Sequence, residues 1–132
     1  MKNKLQTARQ LIEAAEKHAV ELGINITTAV VDDGGNLIAF ARMDNSQLAS
    51  TALSQGKAYS AVAWRRPSRN MYDITQPGGP GWALQQIDRR FVFSGGGMPI
   101  LEDGVIVGAI GVSGGSADQD QACAEAALES FS

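Results

Sequence analysis

The chain holds one histidine and one cysteine, so its reactive side chains are few and each can be weighed alone. His18 sits about 20° beyond Leu11 on a helical wheel, at the edge of an apolar stripe, at roughly 100° per residue. A rim imidazole can ligate a metal through a neutral ring nitrogen. With no second histidine and no cysteine pair, it does not make a zinc site. Haem needs only one or two protein ligands, so His18 suffices for haem iron. The competing reading is a surface histidine near a helix end, held by the helix dipole. Cys123 near the start of the last helix is either a reactive thiolate or a small packing residue, and packing is the stronger reading.

Cations supply the second set. Arg42 and Asp44 close a hairpin, and Lys57 follows on the next helix. Arg42 and Lys57 together can clamp a carboxylate, as a fork and a point charge. Alternatively Arg42 and Asp44 form a surface pair of little energetic weight. Arg65, Arg66, Arg69, Tyr72 and Trp82 lie in one long loop. Such a loop can cover a flat anionic ligand, such as a tetrapyrrole with propionates, or form an oligomer contact. Asp32, Asp33, Glu102, Asp103, Asp118 and Asp120 sit mostly at turns, where carboxylates cap backbone amides, and no general acid/base pair stands out. No Ser-His-Asp arrangement is visible, and GVSGG is not a nucleophile elbow.

These residues need elements to position them. Lys4 to Leu22 reads as an amphipathic helix, with Leu5, Ala8, Leu11, Ile12, Ala15, Ala19 and Leu22 on one face and Gly23 as the stop. Ile24 to Asp32 and LIAFARMD flank a DGGN turn and read as a β-hairpin. Ser46 to Trp64 reads as a second helix with Ser46 as its N-cap. Arg65 to Asp88 is broken by Pro67, Pro77 and Pro80 and reads as an irregular loop with one or two helical turns. Arg90 to Ser94, Met98 to Glu102 and Val105 to Ser113 read as three strands, the last two joined by an EDG turn. Ala117 to Phe131 reads as the final helix. The order α, β-β, α, loop, β-β-β, α gives one domain over 1–132, with a mostly antiparallel sheet and helices on its faces.

The glycines of SGGGMPI and GAIGVSGGS raise the question of a phosphate loop. A dinucleotide fingerprint needs strand, glycine turn and helix within a parallel β-α-β unit. Here Gly108 and Gly111 fall inside a strand, and no strand follows the helix after Gly114 and Gly115. Strand glycines fit a close approach of backbone or ligand. The free amides of the Gly114–Ser116 turn can still hold an anion, unless Ser116 or Asp118 caps them.

Bulk properties bound the answer. The 132 residues are 44% hydrophobic and 6% aromatic, with a formal net charge of -3. That argues against a nucleic-acid or anionic-membrane partner. One cysteine excludes an internal disulfide and fits a reducing cytoplasm. The charged N-terminal stretch resembles no signal peptide. Abundant alanine and glycine point to close packing of helices on the sheet, or of subunits on each other.

Taken together, VVDDGGNLIAFARMD, LSQGKAYSA, SGGGMPI, VGAIGVSGGSADQDQACA and the N-terminal AEKHAVELG resemble the GlcG/HbpS-like family. That family includes the haem-binding C-terminal domain of PduO-type cobalamin adenosyltransferases. The resemblance spans nearly the whole chain. It implies a profilin-like three-layer α/β/α sandwich (class α/β, or α+β) with a five-stranded antiparallel sheet. It implies homo-oligomers, octameric or dimer-based. It also implies possible haem binding with His18 as iron ligand, a link to cobalamin-dependent or glycolate/diol metabolism, and Arg42 and Lys57 near the pocket or interface. The alternative is an enzyme or binding protein for a small carboxylate, with Gly114, Gly115 and Ser116 forming its anion site. The Arg65–Asp88 loop departs from the family pattern.

Overall fold

The computed structural model describes residues 1–131. Its elements are α1 (Lys4–Leu22), β1 (Thr27–Asp32), β2 (Leu37–Arg42), α2 (Ala49–Trp64), β3 (Gly97–Glu102), β4 (Val105–Ser113) and α3 (Ala117–Phe131). Three short 3-10 turns, Ser68–Met71, Asp73–Thr75 and Leu84–Gln86, fill the long loop. The sheet runs β2-β1-β4-β3, and every neighbouring pair is antiparallel.

The helices cover both faces. α1 and α3 pack together over one face, burying Leu11, Ile12, Ala15, Val30, Ile110, Val112, Cys123 and Ala127. α2 covers the other, against Ala29, Val31 and Ala109. The strands alternate accordingly: Val30 and Val112 point to one layer and Ala29 and Val31 to the other, the period-2 consequence of the pleat. The α2 layer is built from small residues, Ser50, Ser54, Ala58 and Ala61, so the helix lies close to the sheet. Gly111 makes that approach possible, because a Cβ there would overlap the Ser54 carbonyl and crowd the Ala58 amide. The alanine and glycine content thus serves helix-on-sheet packing.

The turns follow their residue chemistry. The Asp32 carboxylate accepts hydrogen bonds from the amides of Gly34 at 3.0 Å and Asn36 at 2.9 Å, and from the Asn36 side chain. Burial pushes its pKa up, but those bonds outweigh it and hold the carboxyl below its usual range. Asp103 and Gly104 both take positive φ, 51° and 78°, as a two-residue hairpin turn requires.

Three expectations need correction. Among the described residues the sheet has four strands rather than five. The Arg90–Ser94 segment leaves the sheet and runs over α2, where the Val92 amide donates to Ser60 Oγ at 2.8 Å. Phe91 and Phe93 there stack on each other, and both meet the Trp64 ring edge-on. Ser46 is not the N-cap of α2. Its hydroxyl lies 2.6 Å from the Met43 carbonyl and 3.1 Å from that of Ile26, clipping the hairpin exit, and the helix starts at Ala49. β1 begins at Thr27 rather than Ile24, because the Ile24 amide is still bound to the Ala19 carbonyl at the end of α1.

Cys123 lies fully buried in the α1–α3 layer. Burial, with the Asp120 charge adding to it, pushes its thiol up to about 11. It is a packing residue. We expect no reaction with a thiol reagent in the native protein at mildly alkaline pH, and complete reaction in urea. Because the folded pKa lies above the unfolded value of 9.0, stability from this thiol is intact below pH 9 and falls as pH rises through about 11. Gly111→Ala should cost about 3 kcal/mol, the upper part of the overpacking range, in urea denaturation. Gly104→Ala, in open space but at positive φ, should cost about 1 kcal/mol.

Candidate functional site

The Gly114–Ser116 turn does bind an anion, and the anion is the chain's own. Asp120 Oδ1 accepts from the Gly115 amide at 2.8 Å, and the Gly114 amide also faces this carboxylate. The Ser116 amide donates to Gln119 Oε1 at 2.9 Å while the Gln119 amide donates back to Ser116 Oγ at 3.2 Å, a reciprocal capping arrangement. Gly114 is required because a Cβ would overlap the Asn25 carbonyl, and its φ of 151° is one that side chains rarely adopt. The turn therefore has no open amide cradle for an outside carboxylate. This corrects the expected anion site at Gly114, Gly115 and Ser116.

Lys57 completes the same cluster. Its Nζ donates to Asp120 Oδ2 at 3.0 Å and to the Val112 carbonyl at 3.0 Å. Both side chains are under 5% exposed. Lys57 belongs to α2 and Asp120 to α3, so the pair crosses from one helical layer to the other around the end of β4. The lysine stem passes beside Gly96, whose missing Cβ leaves it room. The Gly96 amide donates to Gln121 Oε1 at 3.1 Å. The triple glycine is thus a slot for a lysine. Burial drives Lys57 down and Asp120 up, each toward its neutral form, and their mutual attraction opposes both shifts.

Arg42 lies apart from this cluster. It is exposed at the end of β2, where Nη2 donates to the Ser46 carbonyl at 2.7 Å. It lines a shallow groove with Glu13, Glu16, Lys17, Met43 and Asp44. The expected Arg42–Lys57 clamp does not form, because Lys57 is buried with its Nζ held by Asp120 and the Val112 carbonyl, while Arg42 is exposed and bonded to the Ser46 carbonyl.

His18 stands on α1 with its side chain 31% exposed. Nδ1 lies 3.5 Å from Oε2 of Glu21, one turn on. No bond to Nε2 occurs among the described residues. Ala14 and Leu22, one turn to either side, give it small and apolar neighbours, and Leu22 is itself exposed. The long loop starts on the opposite face: its first turn packs on α2 and β3, and Ser68 Oγ donates to the Ser94 carbonyl at 2.6 Å. Tyr72 and Trp82 are about half exposed there. One chain therefore does not bring His18 and this loop to one ligand.

The sequence reading missed a second feature on the α2 side. Arg90 clasps Asp88 through two bonds of 3.0 and 2.6 Å and lays its guanidinium 3.8 Å above the Tyr59 ring. Hydrogen bonds from Arg90 hold Asp88 down to about 2. With Val31, Leu37, Leu53, Gln55 and Arg89, the clasp borders a groove of about 510 Å³. The Asp-Arg-Arg run was its only local signal. The Lys57–Asp120 pair, 63 residues apart, had none.

Removing one partner of this pair leaves a buried charge alone. Asp120→Ala should therefore lose about 3–5 kcal/mol in urea denaturation, and Lys57→Met/Asp120→Leu clearly less. A double variant as unstable as Asp120→Ala would mean that the shape of the slot, and not the unpaired charge, sets the loss.

Comparisons with known proteins agree over almost the whole chain. A 15.0 kDa protein from the dhaT-dhaS intergenic region of Citrobacter freundii is 39% identical over 129 residues, covering 97% of this chain and 91% of that protein. Protein GlcG of Escherichia coli K12 is 34% identical over 108 residues, 82% of this chain and 78% of GlcG. The corrinoid adenosyltransferase PduO of Salmonella typhimurium is 33% identical over 90% of this chain, which spans only 36% of PduO. Among solved structures, Klebsiella pneumoniae ORFY superposes with a TM-score of 0.94 at 37% identity, covering 96% of this chain and 88% of that one. A PduOC:heme complex superposes with a TM-score of 0.90 at 32% identity, covering 94% and 91%. The model of the family described as haem degrading protein HbpS-like matches residues 4–129, and the chain belongs to that HbpS-like family.

Proposed function

We propose that this chain is a haem-binding protein, with His18 as an axial ligand of the iron, acting in the cytoplasm as a homo-oligomer. The observation that carries the reading is the one-third-exposed His18 imidazole, its Nε2 unengaged among the described residues, on a backbone that matches a relative solved in complex with haem. Among the described residues, no group of three or more His, Cys, Asp or Glu gathers to hold a bare metal ion. Haem asks for less, because the porphyrin supplies four ligands and the protein one or two.

The residues present fit that demand. Ala14 leaves a low surface one turn before the imidazole, and Leu22 offers an apolar contact one turn after it. Glu21 stands beside Nδ1, where a carboxylate orients the ring and directs Nε2 outward, as partners of metal-bound imidazoles do. Bound haem would supply redox chemistry that the chain's own side chains lack. The names PduO and GlcG favour a role beside cobalamin-dependent or glycolate metabolism. No helix among the described residues is long and apolar enough to cross a membrane.

Titration with haem, followed by visible absorption, tests the reading on wild type, His18→Ala and Arg42→Ala. The expected result is saturable, stoichiometric binding in wild type and Arg42→Ala. His18→Ala should show a changed ligation spectrum and affinity at least about tenfold weaker. Identical spectra and affinities in wild type and His18→Ala would overturn it.

A further inference from the structure

The two edges of the sheet are not alike. β3 is blunted as an edge strand: Pro99 removes a backbone donor, the register breaks between Ile100 and Leu101, and Ser68 Oγ takes the Gly97 amide. β2, the other edge, reads Leu-Ile-Ala-Phe-Ala-Arg. It has no proline, lysine or acid to discourage pairing. In an edge strand, alternate amides and carbonyls point away from the sheet, here without a neighbouring strand. We infer that β2 pairs antiparallel with β2 of a second copy of this chain, joining two sheets into one of eight strands. The inference rests on the homo-oligomer reading above and names the surface that makes it.

Side-chain faces fix the register. Phe40 and Arg42 pair with Ala29 and Thr27, on the α2 face, while Ala39 and Ala41 pair with Val30 and Thr28, on the α1 face. Antiparallel partners must share a face. A two-fold axis through Phe40 satisfies this, setting Ala39 opposite Ala41 of the second copy and Phe40 opposite its own counterpart. The irregularity near Val30/Val31 then brings Arg42 against Leu37 of the second copy, also on the α2 face. Leu37 is 49% exposed in the single chain and would be covered.

The helical layer fits the same axis. α1 packs on β1 and β2 alike and runs alongside β2, leaving a furrow between Leu5, Arg9, Ile12 and Glu13 on the helix and Ile38 to Ala41 on the strand. With strands about 4.8 Å apart, the two copies of α1 would lie roughly 10 Å apart, a normal packing distance for helices. They would run antiparallel, and each furrow would receive the other helix. Arg9 and Glu13, one turn apart, give this rim charges of both signs, which a two-fold axis can match.

The test combines solution mass with amide hydrogen exchange on the full chain. Sedimentation over micromolar to submillimolar concentration should show a dimer or a multiple of it. Protection of residues 37–42 should rise with concentration. Leu37→Lys places a like charge against Arg42 at both symmetric contacts and should weaken self-association about tenfold. Leu37→Lys/Arg42→Glu should restore it. Circular dichroism checks that Leu37→Lys folds, and the exchange measurement on wild type decides the matter even if it does not. An oligomer indifferent to Leu37→Lys, with no concentration-dependent protection in β2, overturns the β2 interface and leaves the homo-oligomer reading standing. A monomer at every concentration overturns both.

Discussion

The Lys57–Asp120 pair is the constraint around which the C-terminal half is arranged. An ammonium and a carboxylate can both be buried only if each keeps its charge partner and its remaining hydrogen bonds. Asp120 keeps them through the Gly114 and Gly115 amides, and Lys57 through the Val112 carbonyl. Meeting that demand dictates three local features: a glycine slot at Gly96, a sharp exit from β4 at Gly114, and a first turn of α3 that brings Asp120 back over the turn. The pair ties α2 to α3, which lie on opposite faces of the sheet. Its net contribution to stability is modest, since burial pushes both groups toward neutrality, but it joins α2, the end of β4 and the start of α3 at one point.

The sheet that this pair closes also sorts the surface chemistry. His18 belongs to the α1–α3 side, and the aromatic loop and the Asp88–Arg90–Tyr59 clasp to the α2 side. A ligand held by His18 must therefore find its second wall on α1, on α3 or on another copy. On α1 the imidazole and the β2-facing furrow occupy different flanks. On the helical wheel His18 lies near Leu11, while Arg9 and Glu13 lie roughly half a turn away, at about 100° per residue. Self-association through β2 therefore leaves His18 uncovered, so the haem-ligand proposal and the interface proposal do not compete for one surface.

What was legible in the sequence follows the range of the interactions. The first helix, both hairpins and the last helix rest on local periodicity and turn chemistry, and they appear where expected apart from the later start of β1. The Phe91–Phe93 run looks like a strand by composition, yet its rings pack with Trp64 and Tyr59 and its Val92 amide is taken by Ser60. A tertiary partner overrode the local preference. Ser46 looked like a cap, but a hydroxyl two strands' length from Ile26 in sequence found that carbonyl in space. Lys57 reads as half of a carboxylate clamp with Arg42, and its burial was illegible, because nothing near it in sequence announces Asp120. For His18 the wheel placed it correctly at the rim, one-third exposed on α1.

The same accounting bears on where reactivity can reside. Asp120 and Lys57 neutralise each other, Cys123 is enclosed and held protonated, and Asp88 is clasped by Arg90. Asp32 serves its own turn. Side chains that hold such roles are poor general acids, bases or nucleophiles, since using them would dismantle the packing or the turn they maintain. The imidazole at position 18 has no such duty to the fold: it is about one-third exposed, and its Nε2 is unengaged among the described residues. A residue whose removal leaves the scaffold intact is free to serve a bound group, so under the haem proposal substitution at His18 separates ligand binding from folding where Lys57 and Asp120 cannot.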